Sequence, residues 1–304
     1  MTTPDFPIFP DFPYPLDPEI ARNVSAALAE DIGAGDLTAE LVPAGNSSIA
    51  TVIVREPAVI CGIPWFNRCF DEIDPSIRIN WFVQEGDHVG PDTLLCEIHG
   101  QSRALLSGER AALNFLQLLS GVATRAATFV ETVAGTKAQI VDTRKTIPGL
   151  RFAQKYAVRV GGGGNHRLAL WDAILIKENH ILAAGGITPA VKAAQAVAAA
   201  HADRCRFIQV EVESIAELDE ALAAGANFLL LDNFDLAMMR EGVAHRNAWA
   251  AKTGTAAKLE ASGGVSLDTV RAIAETGVDR ISIGGLTKDV RAIDLSMRFK
   301  DIPA

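Results

Sequence analysis

The sequence predicts an α/β protein in which a barrel, or an incomplete barrel, of parallel strands follows a small α+β domain. From Ala138 onward short apolar runs alternate with amphipathic stretches, the pattern of parallel strands joined by helices. Ahead of Arg103 the apolar runs follow one another with Gly, Pro and Asp between them, as in an antiparallel sheet. The 304 residues exceed the usual size of one domain, so two units are expected.

Taken in order, Asp17-Pro18 reads as a helix cap and first-turn proline, with Ile20, Val24 and Leu28 at helical spacing and a stop near Gly33. SIATVIVREPAVICG, RINWFVQEG and TLLCEIHG read as strands. The Glu-Gly-Asp turn in EGDHVGPDTLLCEIHG resembles that of swivelling lipoyl or biotinyl modules, but no lysine stands at a hairpin tip, which leaves a plain β-turn. Arg103 to about Thr132 carries apolar residues at steps of three and four, hence helix, with Ser120-Gly121 expected to break it in two. The later strands are AQIVD, AILIK, FIQVEVE, FLLLDN, AKLEASG and DRISIGG. Helices are expected at PGLRFAQKYAVRV, TPAVKAAQAVAAAH, SIAELDEALAAG and SLDTVRAIAETG. A doubly wound open sheet fits the same alternation, and in either architecture the working site lies beyond the carboxyl ends of the strands.

Composition narrows the function. Hydrophobic residues make up 49% and charged residues 21%, ordinary for a chain with a large core. The net charge of −9 argues against a nucleic-acid or anionic-membrane surface. Cys61, Cys69, Cys96 and Cys205 form no CxxC pair and no zinc spacing, so reduced structural thiols are expected. The start, MTTPDFPIFPDFPYPLDP, lacks the basic and apolar regions of a secretion signal, and no apolar run reaches the ~20 residues of a membrane span, so the cytoplasm is the expected compartment.

The strands repeatedly end in ionisable or small residues: Asp142-Thr143-Arg144-Lys145, Lys177, Glu211, Asp232, Ser262-Gly263-Gly264 and Gly284-Gly285. Packing gives no reason for every strand to stop on such residues, whereas a βα barrel assembles its site from several endings. Arg144, Lys145, Arg167, Lys177 and His166 form one charge group and Glu211 and Asp232 the other, which suits an anionic substrate with a metal. Arginine matches a carboxylate or phosphate with two hydrogen bonds. Two carboxylates closing successive strands can hold a hydrated Mg²⁺ that carries a pyrophosphate. Each glycine pair follows a strand and precedes a helix, where backbone N–H groups can cradle a phosphate, although tight βα turns use glycine as well. The string GGGGNHRLALWDAILIKENHI is neither a P-loop nor a dinucleotide fingerprint; its four glycines suit a mobile or closely approached loop that brings His166 and Arg167 to a ligand.

EDIGAGDLTAELVP, SGERAALNFLQLLSGVAT, DTRKTIPGLR, GGGGNHRLALWDAILIKENHI, VEVES, LLDNF, ASGG and GVDRISIGGLT, in this order, resemble the quinolinate phosphoribosyltransferase family over nearly the whole chain. The resemblance implies an N-terminal α/β sandwich domain, residues 1–118, joined by the C-terminal tail 288–304, and an incomplete parallel α/β barrel, residues 119–287, that carries the site. It implies an at least dimeric enzyme joining quinolinate to phosphoribosyl pyrophosphate with decarboxylation, giving nicotinate mononucleotide, pyrophosphate and CO₂ for NAD biosynthesis, with Mg²⁺ and no organic cofactor. By that likeness Arg144, His166 and Arg167, with Arg103 from a partner subunit, hold the dicarboxylate, and Lys145 and Lys177 lie between it and the phosphoribosyl group. Glu211 and Asp232 take the ribose and Mg²⁺ side. Thr143 joins the substrate-binding set, and Ser262, Gly263, Gly264, Ser282, Ile283, Gly284 and Gly285 form the 5′-phosphate cradle. The family commonly has Gly where Ala169 stands, a departure that touches the loop and leaves the charged positions intact. Read by itself, Arg103 is an ordinary first-turn helix arginine. Rival readings are a Schiff-base aldolase using Lys177, a phosphoribosyltransferase for another anionic acceptor, including the paralogue found with molybdate transport systems, and a non-catalytic binding protein.

Overall fold

The computed structural model describes residues 15–300; most of the segment read for a secretion signal, and the last four residues of the tail, lie outside the described residues. The chain runs α1 (Asp17–Ile32), β1 (Ser47–Val54), β2 (Ala58–Val59), α2 (Ile63–Ile73), β3 (Arg78–Trp81), β4 (His88–Val89), β5 (Leu94–Gln101) and α3 (Ser102–Thr132). It continues with β6 (Gln139–Val141), α4 (Arg151–Val160), β7 (Ile174–Ile176), α5 (Glu178–Ala184), α6 (Ile187–Ala200), β8 (Ile208–Val212) and α7 (Ile215–Ala223). The remainder is β9 (Phe228–Asp232), α8 (Leu236–Thr253), β10 (Lys258–Ser262), α9 (Leu267–Ala274), β11 (Arg280–Ser282), α10 (Gly285–Lys288) and β12 (Leu295–Phe299).

Two compact units emerge. The first takes the chain up to Ala127, Thr146–Gly162 and everything from Leu286; the second takes Thr128–Lys145 and Gly163–Gly285. This division differs from a cut at 118/119, because α4 packs within the first unit although it lies between two strands of the second.

In the first unit an antiparallel sheet has the order β12-β1-β5-β3, so the C-terminal strand pairs with β1. Ala50, Val52 and Val54 alternate inward along β1 and are fully buried, the period of two expected of a one-sided strand. On α2, Trp65, Phe66, Cys69 and Phe70 are fully buried, and the Phe66 ring meets those of Phe70 and Trp81 at 5.2 Å. Each such side chain contributes about 1.5–3 kcal/mol of burial, with tilted and edge-on ring contacts adding to it. Helix α1 stops at Gly33 as expected, but it begins at Asp17 with Leu16 in the cap position, so the Asp17 side chain does not serve as the cap.

Helix α3 is continuous over 31 residues, which corrects the expected break at Ser120-Gly121. The Ser120 hydroxyl accepts from Cys61 N at 3.0 Å and donates to Cys61 O at 3.1 Å. A Cβ on Gly121 would lie 2.3 Å from the Arg291 carbonyl oxygen. The pair therefore marks a close backbone approach.

The second unit is a parallel sheet of order β6-β11-β10-β9-β8-β7. All six expected strands form. Strands β7 to β11 follow consecutively, with β6 beside β11 and no reversal of direction of winding, which excludes the doubly wound alternative. Among the described residues β6 and β7 do not pair, so the barrel is incomplete. Gly164, from the GGGG segment, lies along β6: its N–H donates to Ile140 O at 2.7 Å and its carbonyl accepts from Asp142 N at 3.1 Å. A Cβ there would meet Gln139 Nε2 at 2.7 Å, so this glycine serves close approach. The four cysteines are free thiols, three of them buried. Among the described residues no single helix is long and apolar enough to cross a membrane.

Candidate active site

Parallel strands place alternate side chains on the inside of the barrel. The inward residues nearest the carboxyl ends are Lys177, Glu211, Asp232, Ser262 and Ser282, on β7 through β11 or just past them. With Thr143, Arg144, Lys145, His166 and Arg167 they line one cleft of about 490 Å³. Ten of the sixteen sequence-predicted residues thus meet in one place.

The loops that bring the cations there are tied from below. Asp142 is fully buried and accepts from Asn165 Nδ2 at 2.6 Å and from His166 N at 2.9 Å, so it anchors the glycine-rich loop to the end of β6. Asp172, also fully buried, accepts the N–H groups of Leu168 and Ala169, both at 2.8 Å, and fixes the chain just past Arg167. Ala169 sits in this turn, so its methyl group leaves the anchoring bond intact.

Arg167 is 8% exposed, and burial together with the Arg144 charge pulls its guanidinium below its ordinary value, partly offset by Asp172 and Glu211. Two guanidinium groups held near each other in a cleft are a receptor for an anion. Lys177 Nζ meets Glu211 Oε2 at 2.8 Å across adjacent strands. A Cβ on Gly284 would meet Lys145 Cδ at 2.9 Å, so glycine is what lets the Lys145 side chain lie there.

His166 lines the same cleft as the cations, and the fold holds its ring at both nitrogens. Its Nδ1 accepts from Arg167 N at 2.7 Å, and because a backbone N–H can only donate, the ring proton is on Nε2. Nε2 lies 2.6 Å from Gln209 Oε1 and donates to it. Both ring nitrogens are engaged within the protein, and the ring packs edge-on against Phe207.

Six expected residues stand apart from the cleft lining. Arg103 belongs to the first unit, where Nε donates to Val42 O at 2.6 Å and Nη2 to Glu40 O at 3.3 Å. Gly263 and Gly264 follow Ser262 with φ of 107° and 56°, and a Cβ on Gly263 would meet Asn233 Oδ1 at 2.8 Å. Ile283 is buried and gives its N–H to Val141 O at 2.9 Å, so that amide continues the sheet. Gly284 and Gly285 lead into the short α10.

The cleft also has lining that the sequence reading missed: Leu175, Leu230 and Glu260. Each lies two residues before a rim residue on the same strand, and Gln209 and Arg280 hold the equivalent places on β8 and β11. Stepping back two residues from every strand ending would have found this inner layer. Glu260 is fully buried with neither carboxylate oxygen in a hydrogen bond of good geometry, and Oε1 lies 3.5 Å from His166 Nε2. Burial raises its pKa from 4.5 to about 7, against the opposing pull of Arg280, Ser282 and Gln209.

An incomplete parallel βα barrel with four cationic side chains and two carboxylates at its carboxyl mouth is a barrel enzyme built for small polyanions. Models of the quinolinate phosphoribosyl transferase C-terminal and N-terminal domains match residues 122–298 and 36–120. The chain belongs to the quinolinate phosphoribosyl transferase family. It is 41% identical over 284 residues to nicotinate-nucleotide pyrophosphorylase (carboxylating) of Mycobacterium leprae, covering 92% of this chain and 97% of that protein. It is 36% identical over 290 residues to a mitochondrial quinolinate phosphoribosyltransferase (decarboxylating) of Nicotiana tabacum, covering 90% and 80%. The solved nicotinate-nucleotide pyrophosphorylase of Francisella tularensis superposes with a TM-score of 0.86 at 41% identity, covering 94% of this chain and 98% of that one.

Proposed function

We propose that this chain transfers the phosphoribosyl group of phosphoribosyl pyrophosphate to the ring nitrogen of quinolinate with loss of CO₂, yielding nicotinate mononucleotide and pyrophosphate for NAD biosynthesis. The observation that carries this is the gathering of Arg144, Lys145, Arg167 and Lys177 opposite Glu211 and Asp232 in one cleft, because two highly charged reactants must be held side by side. Catalysis here is positioning and charge stabilisation. In this reading Arg144 and Arg167 grip the dicarboxylate, Lys145 and Lys177 stand between it and the phosphoribosyl group, and Glu211 and Asp232 face the ribose. As pyrophosphate leaves, positive charge develops at the anomeric carbon and the pyridine nitrogen adds there. The resulting pyridinium accepts the electron pair left when the 2-carboxylate departs, and a proton replaces it.

The donor chemistry fits Mg²⁺. Among the described residues no cluster of three or more His, Cys, Asp or Glu forms a dedicated metal cage, and a pair of carboxylates suits an ion that keeps water and phosphate oxygens. Glu211 and Asp232 would hold it, and it supplies charge neutralisation for pyrophosphate. Arg103 as a contribution from a partner subunit, a homodimer or larger ring sharing its sites, and residence in the cytoplasm are parts of the same proposal. Four free thiols agree with a reducing compartment.

Purified protein with phosphoribosyl pyrophosphate, Mg²⁺ and either quinolinate or nicotinate tests the reading. Product from quinolinate alone is expected, and product from nicotinate alone overturns it. Mixing Arg103→Ala with Lys177→Ala restores activity if sites are shared, and a mixture as inactive as its parents removes the sharing.

A further inference from the structure

The loop that carries Arg167 has no helix or strand from Asn165 to Leu168, so its shape depends on what its amide groups meet. Four successive N–H groups each donate to a side chain: His166 N to Asp142, Arg167 N to the His166 ring at Nδ1, and Leu168 N and Ala169 N to Asp172. Both aspartates are fully buried, one at the end of β6 and one just ahead of β7. The acceptor at Arg167 is of another kind, an imidazole of the loop itself, and such a ring holds a neighbour in place only where its other nitrogen is also tied. Gln209 ties it. Its side chain is fully buried on β8, and Oε1 lies 2.6 Å from His166 Nε2. Since Nδ1 takes the Arg167 N–H at 2.7 Å, Nε2 carries the proton, and only the amide oxygen of Gln209 can receive it. The amide nitrogen, on the Glu260 side, makes no hydrogen bond of good geometry, which leaves the bond to His166 as the strong one of this side chain. Phe207 closes on the same ring edge-on, with centroids 5.5 Å apart. Beyond its backbone Arg167 is loosely held: among the described residues its guanidinium makes one hydrogen bond, Nη1 to Ala173 O at 3.5 Å. The place of that guanidinium therefore follows the place of its backbone.

We propose, resting on the dicarboxylate reading above, that Gln209 is a positioning residue for quinolinate: through the His166 ring it sets the Arg167 backbone, and with it the guanidinium that grips the dicarboxylate. The relay runs from Gln209 Oε1 to His166 Nε2, across the ring to Nδ1, and on to Arg167 N, joining the inner layer of β8 to the loop ahead of β7. Gln209 lies beneath the rim and touches neither reactant. A gripping side chain must be held within about 0.5 Å of its working geometry, which is why a buried residue one step removed can govern affinity. The effect is selective. Asp232, which faces the ribose in the same reading, ends another strand and does not depend on this relay.

Calorimetry gives the dissociation constants of quinolinate alone and of phosphoribosyl pyrophosphate with Mg²⁺ for the purified wild type and its variants. Gln209→Met keeps the length of the side chain and removes the acceptor, so quinolinate binding should weaken roughly tenfold or more while phosphoribosyl pyrophosphate binding stays within about twofold. Gln209→Glu offers an oxygen at the same reach and should restore quinolinate binding to within about threefold of wild type. In an Arg167→Ala background Gln209→Met should add less than about twofold, because both changes act on one contact. Gln209→Asn, polar but a methylene too short to reach the ring, should show the same split between ligands and stands in should Gln209→Met not fold. Both ligands weakened alike, quinolinate binding unchanged in the Met and Asn variants, no restoration by Gln209→Glu, or a full effect in the Arg167→Ala background overturns the inference. Wild-type protein that binds no quinolinate, or an Arg167→Ala protein that binds it as tightly as wild type, overturns the dicarboxylate reading instead.

Discussion

Glu85 in the first unit and Glu260 in the second are both drawn up to about 7 by burial, yet their partners differ. Glu85 Oε1 accepts the N–H groups of Gly62 at 2.8 Å and Ile63 at 2.7 Å, the first donors of α2, whose cap residue offers no side chain. It does the work of an N-cap from a distant part of the chain. Glu260 holds no hydrogen bond of good geometry, and only the Arg280 charge with the Ser282 and Gln209 side chains offsets its burial. The same displaced pKa therefore goes with two different surroundings, and the hydrogen-bond partners, not the titration, tell them apart.

The largest effect should come from removing the structural member of the pair. Glu85→Ala leaves two buried N–H groups without acceptors, each worth roughly 1–3 kcal/mol, so unfolding in urea should shift by about 2–6 kcal/mol. Glu260→Ala removes a carboxyl that holds no hydrogen bond of good geometry, so its loss of stability should be smaller than that of Glu85→Ala. A large loss in Glu260→Ala with none in Glu85→Ala would invert the comparison.

A smaller effect follows from pH. Both groups have folded pKa values above the ordinary 4.5, so the stability they contribute is complete below that value and is lost as pH rises to about 7. Asp36, Glu56 and Asp279 act in the opposite sense: hydrogen bonds and Arg partners hold them low, and their contribution is lost as pH falls through the acid range. The thermal midpoint should therefore decline between about pH 5 and about pH 7, and Glu260→Gln should remove its share of the decline without touching the acid limb. An unchanged slope in that variant would place the titration elsewhere.

The two units were also unequally legible. The six parallel strands could be read because each is a short apolar run closed by a charged or small residue, as in FLLLDN and AILIK, and those endings are the rim. Helix α5 buries none of its residues, and α8 buries Met239, Gly242 and Arg246 without an apolar stripe, so periodicity gave no sign of either. Glycine misled at Gly121, where close approach of Arg291 and not a helix break is what requires it. Glu260 was hidden because it lies inside an apolar run, where an alternating face is seen only once neighbouring strands are in register. The seating of the His166 ring depends on Arg167 N and Gln209, contacts that residue spacing does not encode. Arg103 is unexceptional in sequence, and within one chain it clamps the Glu40–Val42 carbonyls.

The smallest stability effect is expected at the residue with one of the largest effects on activity. The Lys177–Glu211 bridge has a half-exposed lysine and closes across neighbouring strands that are already paired through their backbones. Exposed pairs of this kind contribute about 0–1 kcal/mol, since water competes for both ions and holding a long side chain costs entropy. Lys177→Met should therefore unfold within about 1 kcal/mol of wild type in urea. Its turnover should fall by roughly a hundredfold or more, because the same ammonium faces developing negative charge in a confined cleft. Unlike Glu85, whose worth lies in bonds made within the fold, Lys177 spends its charge on whatever enters the cleft. A Lys177→Met protein that unfolds early and loses activity only in proportion would assign the bridge to the scaffold, and with it one of the four cations on which the dicarboxylate reading rests.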